Sequence, residues 1–157
     1  MAHRSFVVGL ISDTHGLMRH EALGALQGSD LIVHAGDVGD PGVLESLARI
    51  APLRAIRGNN DRGAWATKLP TTEVIELGGY SIYVLHNLAE LDLDPSAAGF
   101  TAVVSGHSHK PSVEERGGVL FVNPGSAGPR RFKLPITIAR LRLHMNGREA
   151  NIIPLGI

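Results

Sequence analysis

The sequence predicts an α/β sandwich, in which two mixed β-sheets pack face to face with flanking helices. Three observations predict it. Residues 6–56 alternate short apolar runs with stretches of helical periodicity. Residues 72–153 contain three pairs of strand-like runs, each pair separated by a turn containing glycine. No linker, low-complexity tract or internal repeat divides the 157 residues, so residues 1–157 form a single domain.

The elements follow in order. Residues 6–11, Phe-Val-Val-Gly-Leu-Ile, are a continuous apolar run, as expected of a strand covered on both faces. Leu17, Leu23 and Leu26 recur at helical spacing before Gly28, which is suited to a helix stop. Residues 31–33 form a second buried strand. Pro41 stands at the first turn of a helix whose apolar side carries Val43, Leu44, Leu47 and Ile50. Residues 53–56 complete a βαβαβ unit, and hence a parallel sheet with right-handed crossovers. The grammar then changes. Runs 72–77 and 80–85 flank Gly78-Gly79, and runs 112–116 and 119–122 flank Gly117-Gly118. Between these hairpins, residues 100–104 read as another buried strand. Runs 136–143 and 149–153 enclose a turn containing Asn146-Gly147. These hairpins are expected to build the second sheet, its apolar face meeting that of the first.

Composition narrows the function. Fifteen basic and fifteen acidic residues cancel, which argues against a nucleic-acid or anionic-membrane partner. The absence of cysteine removes disulfides, thiolate metal sites and a cysteine nucleophile. The opening apolar run is too short for a signal-peptide core or a membrane span, so a cytoplasmic location is expected. Glycine is enriched at 19 residues, and eight histidines are present. Surplus histidine among glycine-rich turns suggests metal chemistry.

The polar residues sharpen that suggestion. Asp13 and His15 lie just past the first strand, Asp37 past the second and Asn59 past the third. His86 ends the run 80–85, and His107 and His109 follow 100–104. Singly, each has an ordinary explanation as a capping carboxylate, a turn residue or a buried histidine. Jointly, they place metal-capable side chains beyond the carboxyl ends of five strands, where open α/β sheets bind ligands. Four imidazoles, two carboxylates and an amide oxygen suit manganese, iron, zinc or nickel more than calcium or magnesium.

The ordered set Asp13-Thr-His15, Gly36-Asp37, Gly58-Asn59-Asn60-Asp61, His86 and Gly106-His107-Ser108-His109 resembles the calcineurin-like metallophosphoesterase superfamily. With Asn123-Pro124-Gly125-Ser126 and Pro129-Arg130, the chain is similar to its compact bacterial and archaeal phosphodiesterases of the YfcE type. The resemblance implies two divalent ions, Mn2+ foremost. It implies that Asp13, His15 and His109 hold one, that Asn59, His86 and His107 hold the other, and that Asp37 bridges them. The implied reaction is in-line hydrolysis of a small phosphate ester by a bridging hydroxide. Two dications, two carboxylates and that hydroxide leave about +1, matched to a diester monoanion. Asp37, Asn59 and Asn60 are then the catalytic residues, and there is no protein nucleophile.

Two features depart from the family pattern. Many superfamily members carry a histidine where this chain has Asn60, and an amide cannot deliver a proton near neutral pH. His86 is followed by Asn87-Leu88, where a His-Gly-His type sequence is usual. His34 reads as structural or as a support for a ligand, Asp61 as a partner for a ligand histidine or a solvated loop residue, and Arg57 and Arg62 as solvated surface residues placed where they could meet a substrate phosphate. Residues 129–133, Pro-Arg-Arg-Phe-Lys, form too small a basic cluster for nucleic acid, and His3, His20 and His144 read as surface residues. A non-catalytic interaction protein on the same fold, like the retromer subunit vacuolar sorting protein 29, is the alternative. A homo-oligomer is compatible with either reading.

Overall fold

The computed structural model describes residues 5–157 and contains two five-stranded sheets. His3 lies outside the described residues. Strands β1 (Phe6–Ile11), β2 (Leu31–His34) and β3 (Leu53–Ala55) run parallel, linked by helices α1 (His20–Ala25) and α2 (Pro41–Ala48). The N-terminus of α2 is capped by Asp40, whose carboxylate accepts from the Gly42 N–H at 2.8 Å, with Pro41 in the first turn. A four-residue helix, α3 (Ala64–Thr67), is too short to show a periodicity in the sequence.

The second sheet has the order β4-β5-β6-β8-β7. Its strands are β4 (Thr72–Leu77), β5 (Tyr80–Leu85), β6 (Ala102–Val104), β7 (Ser112–Arg116) and β8 (Val119–Asn123). Gly78-Gly79 and Gly117-Gly118 close the β4–β5 and β7–β8 hairpins with both glycines at positive φ, as a two-residue primed turn requires.

The third hairpin is placed differently from expectation. Strands β9 (Thr137–His144) and β10 (Gly147–Pro154) return to the first sheet, with β9 antiparallel to β1. The reason is burial. Strand β9 has apolar residues on both faces: Ile138 packs toward the helices, and Ala139, Leu141 and Leu143 pack toward the other sheet. Such a strand needs an interior position, which the open edge of β1 supplies.

Side-chain parity then defines the layers. Val8, Leu10, Leu31 and Val33 meet Ile82, Val84, Val104 and Val122 between the sheets. Ile11 and Ile32 face the opposite way, against Ala22 and Leu26 of α1 and Val43 and Leu47 of α2. Both of these helices therefore flank the first sheet. The outer face of the second, including Tyr83, Leu85 and Val103, is covered by Leu88, Leu91, Leu93 and Phe100 from an irregular segment with one 3-10 turn, Leu88–Glu90. Among the described residues, no helix is long and apolar enough to cross a membrane.

Candidate metal centre

The parallel strands β1, β2 and β3 and the parallel strands β5 and β6 all direct their carboxyl ends to one edge of the sandwich. There the chain turns sharply. Asp13, His15, Asp37, His107 and His109 all have positive φ, between 46° and 70°. Phe132 is the sixth such non-glycine residue described. Left-handed backbone at a non-glycine residue costs roughly 1–2 kcal/mol, so concentrating it here marks a geometry that the surrounding packing imposes.

That packing is close. An added Cβ at Gly58 would lie 2.2 Å from both the Asp37 nitrogen and its Oδ1. One at Gly106 would lie 2.1 Å from Ser12 Oγ and 2.6 Å from Asp13 Oδ2. Glycine is required at both positions so that the loop after β3 can lie on Asp37 and the loop after β6 on Asp13.

Each carboxylate is held by the protein. Asp13 is fully buried, and its Oδ2 accepts from the Ser12 hydroxyl at 2.6 Å and the His107 N–H at 3.0 Å. Asp13 Oδ1 has no hydrogen-bond partner and faces three imidazoles: His109 Nε2 at 3.3 Å, His15 Nε2 at 3.8 Å and His86 Nε2 at 3.8 Å. Asp37 Oδ1 accepts from the Asn60 N–H at 2.9 Å, and Oδ2 accepts from the Asn60 side-chain amide at 3.1 Å. Asp37 Oδ2 also stands 3.3 Å from His86 Nε2 and 3.8 Å from His15 Nε2. The Ala35 carbonyl, 2.7 Å from His86 Nδ1, can only accept. The ring proton of neutral His86 therefore sits on Nδ1, leaving Nε2 bare toward the carboxylates.

Two compact groups result: Asp13 with His15 and His109, and Asp13 with Asp37 and His86. The first matches the trio expected for one ion. In the second, Asp13 Oδ1 is shared alongside Asp37. His107 is exposed, its ring edge-on to His86 with centroids 5.3 Å apart, and Asn59 is also exposed; both line a cavity with His86. Asn60 is exposed as well, with its side-chain amide directed onto Asp37.

The electrostatics agree with a cation site. Burial pushes the Asp37 carboxyl up, but His86, the Asn60 N–H and His15 outweigh it and hold the group well below the usual carboxylate range. Burial lowers His86, yet the adjacent Asp37, the Ala35 carbonyl and Asp13 raise it overall. Burial lowers His109, with Arg131 and His15 adding to the effect against Asp13. The contribution of Arg131 was not foreseen, because its run of basic residues gave no sign of which loop it faces.

Other supporting residues differ from their sequence reading. Asp61 partners no histidine and is not solvated: it accepts from Gly39 N–H and Gly58 N–H, both at 2.9 Å, tying the loops after β2 and β3 together. His34 is fully buried, as its structural reading expects. It accepts from the Gly36 N–H through Nδ1 at 3.1 Å, so its Nε2–H donates to Thr14 Oγ1 at 3.0 Å, and that hydroxyl donates to the Val38 carbonyl at 2.8 Å.

Burial lowers His34 from the ordinary 6.5 to about 3. Because the folded value lies below the unfolded one, this contribution is complete above pH ~6.5 and lost as pH falls toward 3. In metal-free protein the effect amounts to several kcal/mol. Urea unfolding across this window is expected to show a pH dependence that shrinks by about one proton in His34→Gln. Equal slopes in the two proteins would mean that His34 is already protonated in the fold. The raised His86 acts in the opposite sense in both proteins, so the difference isolates His34.

Residues 6–146 match the family model for the calcineurin-like phosphoesterase superfamily domain. The chain belongs to this superfamily. A probable metallophosphoesterase of Methanocaldococcus jannaschii is 32% identical over 164 aligned residues, covering 96% of this chain and 82% of the relative. An archaeal phosphodiesterase of known structure has a TM-score of 0.78 at 22% identity, over 94% of this chain and 99% of its own. Vacuolar protein sorting 29 of Cryptosporidium parvum reaches 0.77 at 19% identity, over 95% and 97%. The two solved structures share the fold of this calcineurin-like phosphoesterase domain.

Proposed function

We propose that this chain is a metal-dependent phosphodiesterase that hydrolyses a small phosphate diester at a dinuclear centre. The ions are divalent transition metals, manganese foremost. Asp13, His15 and His109 would hold one, Asn59, His86 and His107 would hold the other, and Asp37 would serve both. The observation that carries this reading is the convergence of the buried atoms Asp13 Oδ1, His15 Nε2 and His86 Nε2, none of which makes a well-formed hydrogen bond. Burying such groups without a partner is costly, and a cation satisfies all of them at once. The N/O donor set suits borderline transition metals.

When bound, such a pair of ions supplies Lewis acidity toward the phosphoryl oxygens and an activated water near neutral pH. The protein does the positioning. Ser12 and the His107 N–H aim Asp13 Oδ1 inward, Asn60 grips both oxygens of Asp37, and the Ala35 carbonyl keeps His86 Nε2 free. Asp61 makes the two loops beneath move as one unit.

The test is metal analysis of purified protein, followed by mono- and diester panels with manganese, iron, zinc or nickel. Two ions per chain are expected, with bis-p-nitrophenyl phosphate hydrolysed faster than p-nitrophenyl phosphate. Full occupancy without hydrolysis of any ester would assign the fold to an interaction role instead.

A further inference from the structure

A cavity of about 760 Å³ opens beside the candidate centre and shares Asn59, His86 and His107 with it. Its remaining wall combines the donors Arg57, Thr71, Thr72 and Tyr83 with the carboxylates Glu90 and Asp92. Among the described residues, none of these six side chains has a hydrogen-bond or ion-pair partner. Tyr83 lines the cavity and is 9% exposed, and among the described residues its hydroxyl has no hydrogen-bond partner. Its ring packs on Phe100 at 5.1 Å and lies within the leucine cluster on the outer face of the second sheet.

The carboxylates are presented by a fixed loop. Leu88, Leu91 and Leu93 anchor it to the second sheet, and Asn87 Oδ1 accepts from the Ala89 N–H at 3.1 Å. Glu90 and Asp92 alternate with these leucines and are exposed.

A group that satisfies this wall must donate to the carboxylates and accept from Arg57, while the threonine and tyrosine hydroxyls can take either role. An ammonium group can only donate, so it would stand beside the Arg57 guanidinium and leave it without an acceptor. An anion can only accept and would face two carboxylates. An alkyl chain would leave every polar group unpaired. A hydroxyl both donates and accepts. Resting on the phosphodiesterase reading, we infer that this cavity binds a polyhydroxylated substituent of the diester, a glycerol or sugar unit recognised through its vicinal hydroxyls.

The experiment uses the manganese-loaded full chain and four p-nitrophenyl phosphodiesters whose second alcohol is glycerol, methyl riboside, propanol or aminopropanol. All four lose the same leaving group, and the enzyme-free rate is subtracted from each. The glycerol or riboside ester is expected to exceed the propyl ester in kcat/KM by about tenfold, the scale of two added hydrogen bonds. Which of the two is preferred identifies the source of the diol. In Glu90→Ala/Asp92→Ala the ratio is expected to fall close to one, and the isosteric Glu90→Gln/Asp92→Asn to retain part of it. Equal rates for all esters in the wild type, an unchanged ratio in both variants, or preference for the aminopropyl ester would each overturn the inference. Hydrolysis of none of the four would overturn the phosphodiesterase reading itself, and this inference with it.

Discussion

Asp37→Ala is expected to lose its metal complement and to hydrolyse bis-p-nitrophenyl phosphate at least about a thousandfold more slowly, equivalent to ~4 kcal/mol of transition-state stabilisation. Asp37 Oδ2 is the one carboxylate oxygen within 3.8 Å of both His15 and His86 that is not Asp13. Its removal leaves a single carboxylate among the imidazoles, too little negative charge for two dications. Asn60→Ala, which leaves the carboxylate but removes its side-chain amide donor, should cost less, about 10–100-fold in metal affinity. Glu45→Ala, on the exposed side of α2, provides the control and should change neither property. Metal analysis beside steady-state kinetics reads all three variants. Full activity in metal-free Asp37→Ala would refute the assignment.

The second large effect concerns the leaving group. The Asn60 amide is committed to Asp37 and cannot donate a proton to an alkoxide in any case. His34 is no substitute, being fully buried with both ring nitrogens engaged. General acid assistance is typically worth ~10²–10⁴-fold, and a site without it should show rates falling steeply as leaving-group pKa rises. A series of aryl phosphodiesters of graded leaving-group pKa, at saturating metal and with chemistry rate-limiting, measures the dependence. Asn60→His should flatten it. A flat wild-type series would instead assign the proton to another group or to an ordered water, and this reading of Asn60 would be wrong.

Much of this was legible in the sequence. The apolar runs gave β1, β2 and β5 their positions, because strands covered on both faces have little room for polar residues. Asp13, Asp37, His86 and His109 were found as interruptions directly after such runs. Three things were not legible, for physical reasons. The sheet that β9 and β10 join depends on which edge is open, a tertiary property that strand periodicity does not encode. Asn60 reads as a catalytic amide and Asp61 as a partner for a ligand histidine or a solvated loop residue, but one grips Asp37 and the other clamps two backbones, which loop packing alone decides. Left-handed backbone at Asp13, His15, Asp37, His107 and His109 is hidden because only glycine advertises that conformation in a sequence.

The two compact groups of side chains draw on both layers of the sandwich: Asp13, His15 and Asp37 follow strands of the first sheet, and His86 and His109 follow strands of the second. An ion held there acts as a rivet. Its binding free energy is available only while the layers are docked, so occupancy at a hundred times the dissociation constant adds about 2.7 kcal/mol to global stability. For a domain of this length that corresponds to roughly 5–10 °C in Tm. The gain is also local. Stripping the metal should loosen the riveted edge first, while the opposite edge stays closed through Phe6, Leu77, Tyr80 and Leu143, whose contacts are purely protein. Chelation would turn a rigid sandwich into one hinged at its far side.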